Sequence, residues 1–305
     1  MSVTLLGPQR TPDVDKVVRS LNLQGPIATI TAGWRERESD DGQLNELLDS
    51  RGVNLSLYRR WLDVQDRDPD FAAADRRVRG VRDEVQEIYL LRLEHSLRAI
   101  EALQRHSGNH QLRLDGVTQA IEVVRELDAR HLKQISDIYA EFYQTWPPHD
   151  RPVIAEHRAA VAHLLSDAAA LVITGGHVGV LVAALHLFNV AAGLQSPVIA
   201  WSAGAMALSD RAVLFHDRPP QGPGNPEVYG SGLSMVRNVV PLPHAHARLL
   251  LGDAERMAVF ARRFAPARCV LFEKGTRVDT DADGSCPPGT RVLGENGHVL
   301  TVQAS

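Results

Sequence analysis

Two cysteines in 305 residues, Cys269 and Cys286, are too few for a disulfide framework or a thiolate zinc cage. Cys269 sits inside the apolar run CVLF and reads as a small buried hydrophobe. Charge of one sign is also scarce in excess. The balance of 33 basic and 37 acidic residues gives −4, with no cationic surplus to hold nucleic acid or an anionic membrane. No apolar run approaches a membrane span, and the segment MSVTLLGPQRTPDVDK lacks the basic start and long apolar core of a signal peptide. These absences set the expectation of a soluble, cytoplasmic protein with neither nucleic acid nor membrane as partner. What remains is ordinary: 44% hydrophobic residues, enough to fill one large domain or two modest ones.

The chain begins in an α/β rhythm. Ile27–Thr31 is a β-branched run ending at Ala32-Gly33 and reads as a buried strand. Ser39-Asp40-Asp41 offers caps for a helix carrying Leu44, Leu47 and Leu48, which Gly52 stops. Asn54–Tyr58 reads as the next strand. Arg35, Glu36, Arg37 and Glu38 follow a strand's carboxyl end, where open α/β sheets hold ligands, although a solvated loop is the expected reading.

Near Asp68 the pattern changes. From Phe71 to Arg105 an apolar stripe runs Val78, Val81, Val85, Tyr89, Leu93, Leu97, Ile100, Leu103. Ser107-Gly108-Asn109 breaks it, and a second stripe continues through Val117, Ile121, Val124, Leu127, Ile135, Ile138 and Phe142 to Pro147-Pro148. Two long amphipathic segments around a short turn predict an antiparallel helical hairpin over 68–148. Packing on the main domain, a homodimer bundle and a partner dock are all open to it. His95 and His131 lie on its charged helices, with no metal spacing.

The α/β rhythm resumes after Pro152. Val153–Leu165 reads as a helix, Ala170–Thr174 as a strand stopped by Gly175-Gly176, and a further helix runs through His186 to Val190, closed by Gly193. Strand Pro197–Trp201 follows. Parallel crossovers of this kind predict a doubly wound, mostly parallel sheet flanked by helices. The main domain then comprises residues 1–67 and 149–305, with the hairpin inserted. Asp283-Gly284 and Asn296-Gly297 predict C-terminal β-hairpin strands.

The stretch that carries chemistry is Val198–Leu208, VIAWSAGAMAL. Ser202 stands between an apolar strand and a helix of small residues, the pattern of a nucleophile elbow; a plain strand-to-helix turn with Ser202 as N-cap is the structural alternative. A serine hydroxyl needs a base within reach and a group to orient that base. His244 and His246, in VVPLPHAHARL, stand where an apolar run ends, and His216-Asp217 follow AVLF. Asp217 suits as the orienting carboxylate for either histidine. Gly175-Gly176 and the Ala203 N–H suit an oxyanion hole, which needs backbone donors fixed in advance.

These residues resemble peptidase family S51, the aspartyl dipeptidase and cyanophycinase group within the class I glutamine-amidotransferase-like superfamily, a flavodoxin-like sheet. ALVITGGHVGVL is similar to the family's strand–glycine–helix element, and Ala200–Ala205 to its G-[WT]-S-A-G-A elbow. Gly232–His244, GLSMVRNVVPLPH, aligns with the family's G-L-G-L-x-x-x-V-V-x-D-x-H segment without a gap. The resemblance implies a serine peptidase or amidohydrolase that forms an acyl-enzyme and uses no cofactor or metal. It places the base on His244 and the acid on Asp217, and has a counterpart to the family's late D-E-x-T in Phe272–Thr276. His177, Trp201, His246 and Arg248 are the candidates to contact a peptide or amide substrate. Ala200, His177, Leu242 and Ala245 depart from the family pattern, so the substrate surroundings differ more than the triad does. The competing expectation is a weak or inactive domain of this superfamily that works as an interaction module through its hairpin. An α/β-hydrolase esterase fits less well, because no HGGG-type motif is present, and a glutamine amidotransferase would carry cysteine at the elbow.

Overall fold

The computed structural model describes residues 2–9, 12–217 and 224–304. It opens on strand β1 (Val3–Leu6), helix α1 (Val14–Ser20) and strand β2 (Ile27–Ile30). A 3-10 segment, Ala32–Arg37, leads to α2 (Gly42–Leu47) and β3 (Gly52–Asn54). The strand expected over Asn54–Tyr58 ends at Asn54, and α3 (Leu57–Arg67) starts directly after it. The cause is Glu38, whose buried carboxylate accepts the N–H groups of Tyr58 at 2.9 Å and Arg59 at 2.8 Å. Those are first-turn donors that no earlier turn can satisfy. Glu38, expected in a solvated loop, is therefore a helix cap.

The hairpin follows as α4 (Pro69–Arg105) and α5 (His110–Thr145), and α6 (Pro152–Ser166) returns to the sheet. Next come β4 (Ala170–Ile173), α7 (Val178–Leu187), β5 (Val198–Trp201) and α8 (Ala203–Leu208). The last third holds β6 (Ala212–Leu214), β7 (Glu227–Gly230), β8 (Val239–Pro243), α9 (Ala245–Arg248) and α10 (Ala254–Phe264). It closes with β9 (Arg268–Phe272), β10 (Arg277–Thr280), β11 (Arg291–Leu293) and β12 (Val299–Thr301).

The architecture is mixed α/β around a mostly parallel sheet in the order β10-β1-β5-β4-β2-β3, with only β10 antiparallel. Its inner strands β1, β5, β4 and β2 are buried on both faces, as a sheet covered by helices on each side requires. Leu5, Ile30, Ile173 and Ala200 point into the larger core with α3, α6, α7 and α8, whereas Leu6, Ile27, Val172 and Ile199 pack with Val14, Val17 and Leu44 of α1 and α2. A second sheet, β12-β11-β9-β8, stands apart from the first, and β6 pairs with β7 alone. Asn296-Gly297 does turn the β11–β12 hairpin. Asp283-Gly284 does not turn one: β10 joins β1 while β11 joins β9, so the chain changes sheets there. Among the described residues no helix is long and apolar enough to cross a membrane.

The two hairpin helices pack on each other and on the rest of the fold. Asp68 caps α4 by accepting the Phe71 N–H at 3.1 Å and binds Arg151, just past the end of α5, through its Nε at 2.6 Å. That contact closes the base of the hairpin. Farther out, Arg263 of α10 holds Asp128 of α5 through two N–H groups at 2.7 and 2.8 Å, and Tyr89 of α4 donates to the same carboxylate at 2.9 Å. The expected α4 stripe is corrected here. Val81 is half exposed, and Arg82 and Gln86 take the buried positions, because their side chains reach the Tyr229 and Val228 carbonyls of β7.

His131 is buried as well, stacked on Tyr89 with ring centroids 4.0 Å apart and bonded to Gln86 Oε1 at 2.8 Å. Burial, with the nearby Arg82 charge second, lowers its pKa to about 4. The folded state thus keeps His131 neutral where the unfolded chain, with an ordinary value of 6.5, takes up a proton. Stability from this residue is complete above pH 6.5 and falls as pH drops toward 4, by roughly 2–3 kcal/mol in total. Thermal melts of wild type and His131→Gln across pH 4–7 test this. The wild type is expected to lose more stability than the variant over that interval, and parallel curves would contradict it.

Candidate active site

The carboxyl ends of the parallel strands converge on one cavity of about 330 Å³. Gln9 enters it after β1, Trp34 after β2, Gly175 and Gly176 after β4, and Trp201 and Ser202 from the end of β5. His244, from the end of β8 in the second sheet, completes it. Open α/β sheets place ligands at this edge because helix starts and loose loop ends gather there.

Ser202 has the backbone of an elbow, with φ 53° and ψ −122°, a conformation that costs a non-glycine residue about 1–3 kcal/mol. Small neighbours are needed to hold it. A Cβ on Gly204 would lie 2.5 Å from the Ile173 carbonyl oxygen, so only glycine lets α8 start this close to β4. A Cβ on Gly175 would meet Ser202 Cβ at 3.0 Å and Oγ at 3.3 Å, which puts the glycine backbone against the hydroxyl. Gly176 has φ +124° and presses on the Gly33 carbonyl. The next N–H, of His177, is committed to Gly33 O at 2.8 Å. As the first residue of α8, Ala203 has an N–H that no preceding turn can accept. Arg35 repeats the elbow dihedrals, φ 57° and ψ −121°, immediately after Trp34.

His244 adopts the left-handed conformation, φ 58° and ψ 38°, where β8 ends and α9 begins. Its N–H extends the β8–β9 pairing to Phe272 O at 3.0 Å, and its carbonyl accepts from Arg248 N at 3.0 Å. His244 lines the cavity, and His246 is not among the lining residues. His246 is half exposed and meets Glu273 twice, with its backbone N–H and its Nδ1 each 2.8 Å from Oε1. Glu273 directly follows β9 and lies in the turn where Gly7, at the end of β1, packs on its backbone.

Asp217 is buried against an arginine and two backbone groups. Oδ1 accepts from Arg256 Nη2 at 2.6 Å and Oδ2 from the Leu250 N–H at 3.1 Å, while its own N–H donates to Arg248 O at 2.6 Å. It clamps the chain one turn beyond His244. His177 and Arg248 fall outside the cavity lining. His177 caps α7, its Nδ1 accepting from Val180 N at 3.3 Å. Trp201 does line the cavity.

Sequence reasoning did not single out several residues in or beside the cavity. Trp34 follows the Ile27–Ile30 strand, so the strand-end rule that marked Gly175 marks it too. Gln9 depends on β1, whose short run VTLL gave no separate signal. Glu273 lay in a stretch matched only as a motif, and its contact with His246 crosses from β9 to α9.

No family model matches the chain, and no curated protein matches it. Among solved structures, it is similar to the crystal structure of a peptidase from an acI-B1 Actinobacterium. The two are 12% identical with a TM-score of 0.46, over 99% of this chain and 94% of that one.

Proposed function

We propose that the protein is a serine hydrolase of the peptidase S51 type, on a class I glutamine-amidotransferase-like sheet, that cleaves a peptide or other amide bond. The observation that carries the proposal is the strained Ser202, set at the carboxyl end of β5 with Gly175 against its hydroxyl, opening on the cavity that His244 also lines. A residue of this kind is held in a costly conformation by surrounding structure, and such strain gathers at functional sites. Ser202 Oγ attacks the carbonyl carbon, and His244 takes the hydroxyl proton and returns it to the departing amine. The Ala203 N–H and the Gly175-Gly176 backbone receive the oxyanion. Water then hydrolyses the acyl-enzyme, with His244 as base again.

Asp217 enters this proposal as a positioning residue. It fixes Arg248 and Leu250, and through them the turn that carries His244. Asp217→Asn is expected to lower kcat about 10-fold or more and the melting temperature together, since it leaves the Arg256 charge without its partner. The pH profile of kcat/KM separates this from direct contact with the base. Positioning leaves the basic pKa in place, whereas loss of a carboxylate bonded to the imidazole would move it down by about one unit.

The commitment of Asp217 to Arg256 also favours a second reading, a domain of the same fold with little or no turnover that serves as an interaction module. A screen of acidic and neutral dipeptides and isopeptides, with Ser202→Ala as control, distinguishes the two. Turnover that vanishes in the variant supports the hydrolase, and none with any substrate supports the module.

A further inference from the structure

We propose that the chain forms a twofold homodimer in which α4 of one copy packs antiparallel on α4 of the other, crossing at Ile88. The face of α4 turned away from the fold carries three large apolar side chains where a solvated helix would be polar. Val81, Ile88 and Leu91 are 50%, 51% and 61% exposed. With Glu84, Arg92 and His95 they form one stripe, since steps of three, four and seven residues stay on one side of a helix. The stripe covers about 15 residues, roughly 22 Å of helix axis.

Its charges identify the occupant as a second copy. A twofold axis at Ile88 brings each residue a given number of positions before it against the residue the same number after it. Glu84 and Arg92 stand four before and four after, so the operation sets each glutamate against the partner's arginine, twice. Val85 meets Leu91, and Ile88 meets itself. Elsewhere on α4 the ion pairs lie within the helix or next along it: Arg79 with Asp75, Arg82 with Asp83, Arg98 with Glu94, and Arg105 with Glu101. Glu84 and Arg92 belong to none of these. For both, the position four away toward the centre of the stripe is Ile88, and neither has an opposite charge three or four residues away. About Ile88 the charges of the stripe are thus antisymmetric and its central apolar residues symmetric, with Val81 falling opposite His95, an arrangement that suits an antiparallel self-pairing. A parallel pairing would set like charges together.

Sedimentation of the 305-residue chain over a range of concentrations tests this. The expected species is a dimer. Glu84→Arg and Arg92→Glu, each alone, are expected to weaken it at least 10-fold by facing like charges across the axis. The double variant restores opposite charges and is expected to recover most of the affinity. Ile88→Asp is expected to give a monomer, with circular dichroism and melting temperature near wild type because the site is exposed. Ile88→Cys is expected to form an intermolecular disulfide on mild oxidation, since the native cysteines are buried. A wild type that stays monomeric, a dimer indifferent to Ile88→Asp, or a double charge variant no better than the singles would overturn the proposal.

Discussion

Substituting Ser202 by alanine is expected to lower kcat by about 10⁴-fold or more, while the fold survives. In the proposed mechanism the hydroxyl is the group that bonds to the substrate carbon, and nothing else placed at the elbow can replace it. Ala203 and Ala205 offer only methyl groups, and Thr174, at the end of β4, is fully buried with its hydroxyl donating to Gly175 O at 3.1 Å. Alanine keeps the small volume that Gly175 demands and carries the same backbone strain as serine, so the melting temperature should move by only a few degrees. The check is a matched pair of measurements, turnover and thermal melt, on both proteins. Gly204→Ala makes the contrast. Its Cβ would collide with the Ile173 and Thr174 carbonyl oxygens at 2.5 and 2.7 Å, so the elbow itself is expected to give way and stability to fall with activity.

Replacing His244 by alanine is the second large effect expected, about 10⁴-fold in kcat, because in the proposed mechanism it is the base without which the Ser202 hydroxyl stays protonated and a poor nucleophile. The neighbouring histidine provides the control. His246 lies outside the cavity lining and is held by Glu273, so His246→Ala is expected to keep most of the turnover. Glu273→Gln adds information of a different kind. Glu273 accepts the His246 N–H at the start of α9, next to the turn that presents His244, so its loss should reach the base through that turn. A smaller fall in kcat than for His244→Ala, with KM little changed, is the expected pattern. Activity lost in His246→Ala but kept in His244→Ala would reassign the base and the register of VVPLPHAHARL.

Local chemistry was readable from the chain wherever neighbours in sequence are neighbours in space. The Ser202 turn, the glycines after β4 and the two long helices all rest on small-residue spacing or helical period: Ser202 has elbow dihedrals, Gly175 lies against it, and α4 and α5 run the length of the two stripes. Features set by contacts far apart in sequence were not readable. Asn54–Tyr58 has strand-like composition, yet Glu38, some twenty residues earlier, caps a helix there. Arg82 and Gln86 look like surface residues until β7 is seen to offer them carbonyls. Asp217 follows AVLF at the end of β6 as expected, but its partners Leu250 and Arg256 lie more than thirty residues later. A position could be read from one sequence, and a carboxylate's choice of partner could not.

The central claim is that Ser202 is a nucleophile activated by His244. A fluorophosphonate reagent tests it most directly, because it phosphonylates a serine only where a base and an oxyanion site are assembled. Intact-mass and peptide mapping should find one adduct per chain, on Ser202, absent in Ser202→Ala and slowed by orders of magnitude in His244→Ala. A folded protein that takes up no label, or a single adduct on another serine, would contradict the account.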